Sequence, residues 1–278
     1  MTVHIPHTLE EATSLLSADT GAQLLAGGTD FMVEVNFGHR KPGNVVSLSN
    51  IPELAHWQDN GESVTIGSGV TWAEIEKGEL ARIFPAFAEA ARTVGSPQIR
   101  AAGTVGGNIG TCSPAGDGLP FLAATDSVVH LSSVRGTREV PFRQFMTGPK
   151  RNSRERDEII TAVTIPKTDG AQAYAKVGVR NAMVISIASA CLVIDRGLVR
   201  VALGSVGPVI IRATEAEKWL DDLNAVPGRA VTTAVAREFG ERVAREASPI
   251  DDHRSTAAYR RHAVSVLSRR LLERGTSS

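Results

Sequence analysis

Two glycine-rich segments carry the residues best suited to hold a charged ligand: LLAGGTDF at Leu24 to Phe31 and TVGGNIGTCSPAGD at Thr104 to Asp117. Glycine has no Cβ, so the chain at Gly27, Gly28, Gly106 and Gly107 is able to take positive φ, approach closely and turn backbone N–H groups onto a phosphate. Thr29, Asn108, Thr111 and Ser113 add short side-chain donors, while Asp30 or Asp117 can accept from ribose hydroxyls. Either segment alone is equally well explained as a tight turn. The pair implies a ligand with two phosphates and ribose hydroxyls, and a dinucleotide such as FAD fits. Neither segment has the GxGxxG spacing of a Rossmann unit or the GxxxxGK[ST] of a nucleotide hydrolase.

The elements that must position these segments follow from periodicity and punctuation. Thr8 and Glu11 make a capping-box pattern ahead of Leu9, Ala12, Leu15 and Leu16 at helical spacing. Ala22 to Leu25 reads as a buried strand running straight into the first glycine turn. Val45 to Leu48 and Ser63 to Ile66 read as further strands, with a turn at Asn60 and Gly61. Trp72 to Ile75 and Phe84 to Val94 have helical spacing. Leu119 to Ala124 reads as a helical turn and Ser127 to Ser132 as a strand. Pro141 to Glu158, containing GPKRNSRERDE, reads as a mobile, solvated surface loop, because acids interleave with its bases. Ile159 to Ile165 is a strand, and PKTDG at Pro166 to Gly170 is a natural boundary.

Beyond that boundary the texture changes. Ser186 to Ile194 and Leu198 to Leu203 resemble a hairpin pair, and three helices follow over Ala213 to Leu223, Ala230 to Arg245 and Asp252 to Glu273. Pro227 with Gly228, and then Ser248 with Pro249, separate them.

Composition narrows the function classes. The 278 residues carry 30 basic and 30 acidic side chains, a balance that argues against a nucleic-acid partner or an anionic membrane surface. The length exceeds a single hydrophobic core, so two or three packed units are expected. No apolar stretch is long enough for a membrane span, and MTVHIPHTLEEA lacks the pattern of a signal peptide, which points to the cytoplasm. Cys112 and Cys191 are far apart and lack CxxC spacing; they rule out an iron–sulfur cluster held by this chain alone. Cys112 reads as a small packing residue, and His56, His130, His253 and His262 share no ligand spacing. Trp57 and Trp72 read as packing residues, and no acid–base pair stands out.

The ordered series LLAGGTDF, TVGGNIGTCSPAGD, DEIITAVTIP, YAKVGVRNAMVIS and LGSVGPVIIRATEAE resembles the FAD-binding medium subunit of the molybdenum hydroxylases, the xanthine dehydrogenase and carbon-monoxide dehydrogenase family. The likeness runs from the first strand to YRRHAVSVLSRRLLE. It implies an α+β chain: a two-lobed FAD-binding domain of the vanillyl-alcohol-oxidase or PCMH type over 1–167, with lobes of about 1–56 and 57–167. A smaller C-terminal domain of antiparallel sheet plus helices follows over 171–275. By resemblance, Leu25, Ala26, Gly27, Gly28, Thr29, Asp30 and Phe31 line the flavin's diphosphate, joined by Gly103, Thr104, Gly107, Asn108, Gly110, Thr111 and Asp117. Ile160 matches an apolar position near the flavin, and Lys176 a lysine reaching it from the C-terminal domain. The charged stretch from Lys150 to Asp157 departs from the shorter, Gly- and Thr-rich segment of the family.

The same resemblance implies partners: a large subunit with a molybdenum-pterin centre, a small subunit with two [2Fe-2S] clusters, and an assembly built as a dimer of heterotrimers. Electrons then leave through FAD to NAD or another acceptor, and an electron-relay subunit needs no proton-transfer machinery for an organic substrate. Two alternatives stand beside this. A self-sufficient FAD-dependent reductase or oxidase of the same domain type would need a substrate domain with a proton donor, or a His or Cys for covalent flavin attachment. A non-catalytic nucleotide-binding or assembly protein would keep the segments without redox activity.

Overall fold

The computed structural model describes residues 2–224 and 231–277. The break expected at Pro227 and Gly228, and the start of a helix at Ala230, lie outside the described residues. Along the chain run β1 (Val3–His4), α1 (Leu9–Ala18), β2 (Gln23–Leu25), α2 (Phe31–Asn36) and β3 (Val45–Ser47). After a 3-10 turn at Pro52–Leu54 come β4 (Trp57–Asp59), β5 (Ser63–Gly67), α3 (Trp72–Ile75), α4 (Gly78–Ile83), α5 (Pro85–Thr93), α6 (Pro97–Ala102), α7 (Val105–Thr111) and α8 (Leu119–Ala124). Then come β6 (Val128–Ser133), β7 (Gly136–Pro141), α9 (Phe142–Phe145), β8 (Met146–Gly148), β9 (Arg151–Asn152) and β10 (Ile159–Pro166). The rest comprises β11 (Gln172–Val177), β12 (Ala188–Asp195), β13 (Leu198–Gly204), β14 (Ile211–Arg212), α10 (Thr214–Asp222), α11 (Thr233–Glu246) and α12 (Ala257–Thr276).

Three main sheets organise these elements, and the class is α+β as expected. β1 and β2 both pair in parallel with the central β3, in the order β1-β3-β2. α1 closes that sheet's core with Ala12 and Leu16 against Val46 and Ile51. Thr8 caps α1 by accepting from the Glu11 N–H at 3.1 Å, while the Glu11 carboxylate accepts from the His7 N–H at 2.9 Å. An antiparallel sheet ordered β4-β5-β10-β6-β7 carries helices α3 to α8. Phe87 and Phe121 stack there with ring centroids 4.7 Å apart, and Phe84 meets Phe121 edge-on at 5.5 Å; such pairs add about 0.5–1.5 kcal/mol beyond their burial. Trp72 meets Phe87 edge-on at 5.5 Å and is buried, as a packing tryptophan should be.

The last sheet, β11-β12-β13-β14, is antiparallel throughout. β12 reads ASACLVID, nearly continuous apolar sequence, and it is buried on both faces. Ala190 and Leu192 pack with Phe239, Val264 and Leu271 of the later helices. Cys191 and Val193, pointing the other way, join the core built on Trp72, Phe87 and Phe121. One strand therefore cements the C-terminal sheet to the helices of the preceding unit.

The reading of Pro141 to Glu158 as a mobile loop is corrected. The segment holds α9 and the β8–β9 hairpin, and Glu158 ties its far end to the sheet. Arg138 on β7 donates to both oxygens of the Glu158 carboxylate, at 2.6 and 2.8 Å, and to the Ser153 carbonyl at 2.8 Å. Arg154 turns inward to donate to the Glu158 carbonyl at 2.6 Å. Charged side chains of the stretch are held from outside it: Glu158 by Arg138, Asp157 by Arg135 and Lys150 by Glu34. The strands β4 and β7 and the short helices α2, α6 and α7 carry no sequence signal clear enough to predict them.

Candidate functional site

The first glycine segment begins where β2 ends at Leu25. Residues 26–30 form the turn into α2, with Gly28 at φ 73°, a conformation that disfavours any side chain with a Cβ. Among the described residues, none of the backbone N–H groups of residues 26–31 finds an acceptor in the protein. Unpaired N–H groups in succession at a half-buried turn are costly in isolation and suited to an anion. Gly27 is required for a different reason: a Cβ there would lie 1.7 Å from the Ala102 carbonyl oxygen. The two glycine segments meet backbone to backbone at that point.

The first half of the second segment is not a loop: residues 105–111 form α7, capped by Thr104, whose hydroxyl accepts from the Gly107 N–H at 3.0 Å, and residues 112–117 turn away from its end. The Gly106 N–H donates to the Ser68 carbonyl at 2.8 Å, and the Asn108 N–H to the Thr104 carbonyl at 3.1 Å. The expectation that Gly106 and Gly107 aim free N–H groups at a phosphate is therefore corrected, because both donors are engaged within the fold. Gly103 likewise donates to the Ile99 carbonyl at 2.7 Å and accepts from the Trp72 N–H at 3.1 Å. What α7 offers is side chains. The Asn108 Oδ1 atom is buried without a partner, and the Thr111 hydroxyl donates to Asp30 Oδ2 at 3.5 Å, bridging the two segments.

The free N–H run of residues 26–31, the orphaned Asn108 oxygen and the closeness of the segments fit a group bearing two adjacent phosphates and hydrogen-bonding hydroxyls. Ile160, buried in β10 beside a bulge, packs its Cδ1 toward Gly110, 3.5 Å from where a Cβ there would stand. It supports α7 from beneath.

Asp117 lies just beyond α7 and is buried. Its partners come from β11: the Tyr174 hydroxyl donates at 2.9 Å and the Lys176 ammonium at 2.7 Å. Lys176 also donates to the Thr93 carbonyl at 2.9 Å and the Val184 carbonyl at 3.1 Å, so its three hydrogens are all engaged. Lys176, the lysine that the resemblance has reaching the flavin, is thus held against Asp117. Burial pushes the Asp117 carboxyl up, against the opposing pull of Lys176 and of the Tyr174 hydroxyl. Burial and the neighbouring Asp117 together push the Tyr174 phenol well above its usual range, so it remains a donor.

Tyr174, Lys150 and Asn152 join the neighbourhood as residues that sequence reasoning misses. Tyr174 shares a face of β11 with Lys176 by the two-residue period, a signal that could have found it. Lys150 and Asn152 are hidden in the charged stretch. Cys112 and Cys191 are both buried. Burial raises the Cys112 thiol to about 12 and pushes Cys191 up as well, so both are packing residues. Among the described residues no group of three or more His, Cys, Asp or Glu could hold a metal ion, and no helix is long and apolar enough to cross a membrane.

Residues 1–168 match the family model of the FAD binding domain in molybdopterin dehydrogenase, and residues 167–274 that of the CO dehydrogenase flavoprotein C-terminal domain. The chain is 40% identical over 190 residues to the nicotinate dehydrogenase FAD-subunit of Eubacterium barkeri, a match covering 66% of this chain and 64% of that one, just under two thirds. It is 32% identical over 275 residues to the nicotine 6-hydroxylase medium subunit of Paenarthrobacter nicotinovorans, covering 96% and 94%. A solved structure of carbon monoxide dehydrogenase from Hydrogenophaga pseudoflava superposes with a TM-score of 0.89 at 26% identity, covering 100% of this chain and 97% of that one. The α+β architecture, the two glycine segments and these matches together make the chain a member of the FAD-binding medium subunits of the molybdenum-hydroxylase dehydrogenases, and so an oxidoreductase component.

Proposed function

We propose that this chain is the electron-transfer subunit of a heteromeric molybdenum hydroxylase in the cytoplasm. It would receive electrons from [2Fe-2S] clusters of a small partner subunit, downstream of a molybdenum-pterin centre in a large one, and deliver them to NAD or another acceptor. Bound FAD supplies the exchange between single-electron and paired-electron transfer. The chain's own residues bind and orient. We read 1–167 as the FAD-binding domain and 171–275 as the domain that braces it, with the assembly a dimer of heterotrimers.

In this reading Leu25 and Phe31 bracket a turn in which Ala26, Gly27, Gly28, Thr29 and Asp30 turn backbone donors on the diphosphate. Gly103 and Thr104 hold α7 against the turn. Gly107 leaves room opposite Ala26, 3.9 Å from where its Cβ would stand. Asn108 and Thr111 supply side-chain contacts, Gly110 and Ile160 wall the site, and Asp117, steadied by Lys176, accepts from ribose hydroxyls. The observation that carries the reading is the unpaired N–H run of residues 26–31, which lies inside the region matched by the FAD-domain model.

The test is to purify the protein with its neighbours. Flavin absorbance in the purified chain, and its recovery together with a molybdenum-containing and an iron-containing subunit, support the assignment. With NAD as acceptor, the isolated chain should oxidise reduced nicotinamide with a dye while hydroxylating nothing. Hydroxylation of a purine, N-heterocycle or aldehyde by the chain alone would overturn the division of labour, and a colourless chain would remove flavin from it.

A further inference from the structure

Lys150 occupies the turn between β8 and β9 with φ 55°, in the left-handed region that favours glycine. A lysine kept there is held by its surroundings. Its N–H donates to the Cys112 carbonyl at 3.0 Å, and two residues on the Asn152 amide donates to the Gly110 carbonyl at 2.9 Å. Both acceptors belong to the C-terminal end of α7. The hairpin is thus fastened to the second glycine segment through its backbone and Asn152.

The Lys150 side chain runs the other way. Its ammonium donates to Glu34 Oε1 at 2.6 Å and lies 3.7 Å from Asp30 Oδ2, so it reaches α2, which begins where the free N–H run ends. The other Glu34 oxygen is held by Arg40, whose Nε donates at 2.8 Å and whose guanidinium lies 4.8 Å from the Phe31 ring centroid. The side chain of Glu34 is only 19% exposed, so this network is better defined than an isolated surface pair. Beyond the Gly27 approach and the long Thr111–Asp30 contact, Lys150 is the charged connection between the two segments.

We propose that Lys150 is a positioning residue that clamps the two glycine segments together across the dinucleotide site by pairing with Glu34. This rests on the FAD reading above. The clamp acts on the rate at which the ligand leaves, since release requires the segments to part.

The test uses the full chain loaded with FAD, following flavin fluorescence on dilution. Lys150→Ala and Glu34→Gln should each speed FAD release by roughly three- to tenfold, the range of a defined charge-assisted pair. The double variant should be no faster than either single one, and Lys150→Arg should restore slow release. Release from Lys150→Ala within twofold of the parent, or multiplicative effects in the double variant, overturns the clamp. A second readout needs no flavin: in the ligand-free chain, Glu34→Gln should speed hydrogen exchange at the Lys150 amide. Unchanged exchange there overturns the clamp, whereas faster exchange in Glu34→Gln, with a parent chain that binds no FAD, upholds the clamp and refutes only the cofactor assignment.

Discussion

The Lys176 ammonium stands 2.7 Å from Asp117 Oδ2, joining two residues 59 positions apart across the contact between β11 and the segment just past α7. Both side chains are about nine-tenths buried. A buried pair of this kind is weak support for stability as a whole but severe when one member is lost. Lys176→Met is expected to destabilise the protein by about 3–5 kcal/mol in urea unfolding, by leaving the Asp117 charge without its cation. Adding Asp117→Asn should recover part of that loss. If Lys176→Met melts like the parent, the pairing has been misassigned.

Tyr174→Phe removes one donor to the same carboxylate while keeping the packing. The expected cost is about 1–3 kcal/mol, smaller than for the lysine because the charge keeps its counter-ion. Measured beside Lys176→Met in a double-mutant cycle, the two effects should be non-additive, since both act on Asp117.

Gly27 and Gly28 make a paired test of the first turn. Gly27→Ala would drive a methyl into the Ala102 carbonyl, whereas Gly28→Ala meets only side-chain carbons at 3.6 and 3.8 Å and is strained by its φ of 73°. The first is expected to separate the glycine segments and lose bound flavin outright; the second should cost about 1–2 kcal/mol and retain it weakly. Flavin absorbance after gel filtration distinguishes them, and equal retention would show that the backbone approach at Gly27 does not shape the site.

Much of the fold is legible in the sequence, and the failures have physical causes. The amphipathic α1, the strand β2 entering the turn, β10, and the β12–β13 hairpin all follow from local periodicity. The second glycine segment reads as a loop because glycines depress helix propensity; the Thr104 cap and the contact with Ser68 hold α7 helical regardless. The charged stretch reads as solvated because alternating acids and bases look so until Arg138 on β7 is seen to reach past β6 to Glu158 just before β10. The role of Lys176 depends on Asp117, Thr93 and Val184, which no spacing rule brings together.

Asp252 gives the chain an acid limit. Burial of its carboxyl is outweighed by the Arg254 and Ser255 N–H groups and by Arg260, so it is lowered to about 2. A depressed carboxyl stabilises fully above its unfolded value near 4 and ceases to do so as pH falls through about 2. Discounted for its partial exposure, the contribution is about 1–2 kcal/mol. Thermal melts of the parent and of Asp252→Asn should differ at pH 6 and converge as the pH drops through this window; a constant gap would exclude the linkage.

Cys112 and Cys191 should resist a thiol reagent at pH 8 in the folded protein and both react after denaturation. Burial keeps each thiol protonated as well as covered. Rapid native labelling of either would contradict that account.

β12 has no solvent side, and its neighbour β11 delivers Tyr174 and Lys176 to Asp117. A nascent chain that has emerged only as far as β10 has made both glycine segments and neither of Asp117's side-chain donors from β11. Completion of that corner waits for β11, at residues 172–177 of 278, so Asp117 gains its side-chain partners only after both glycine segments have been made.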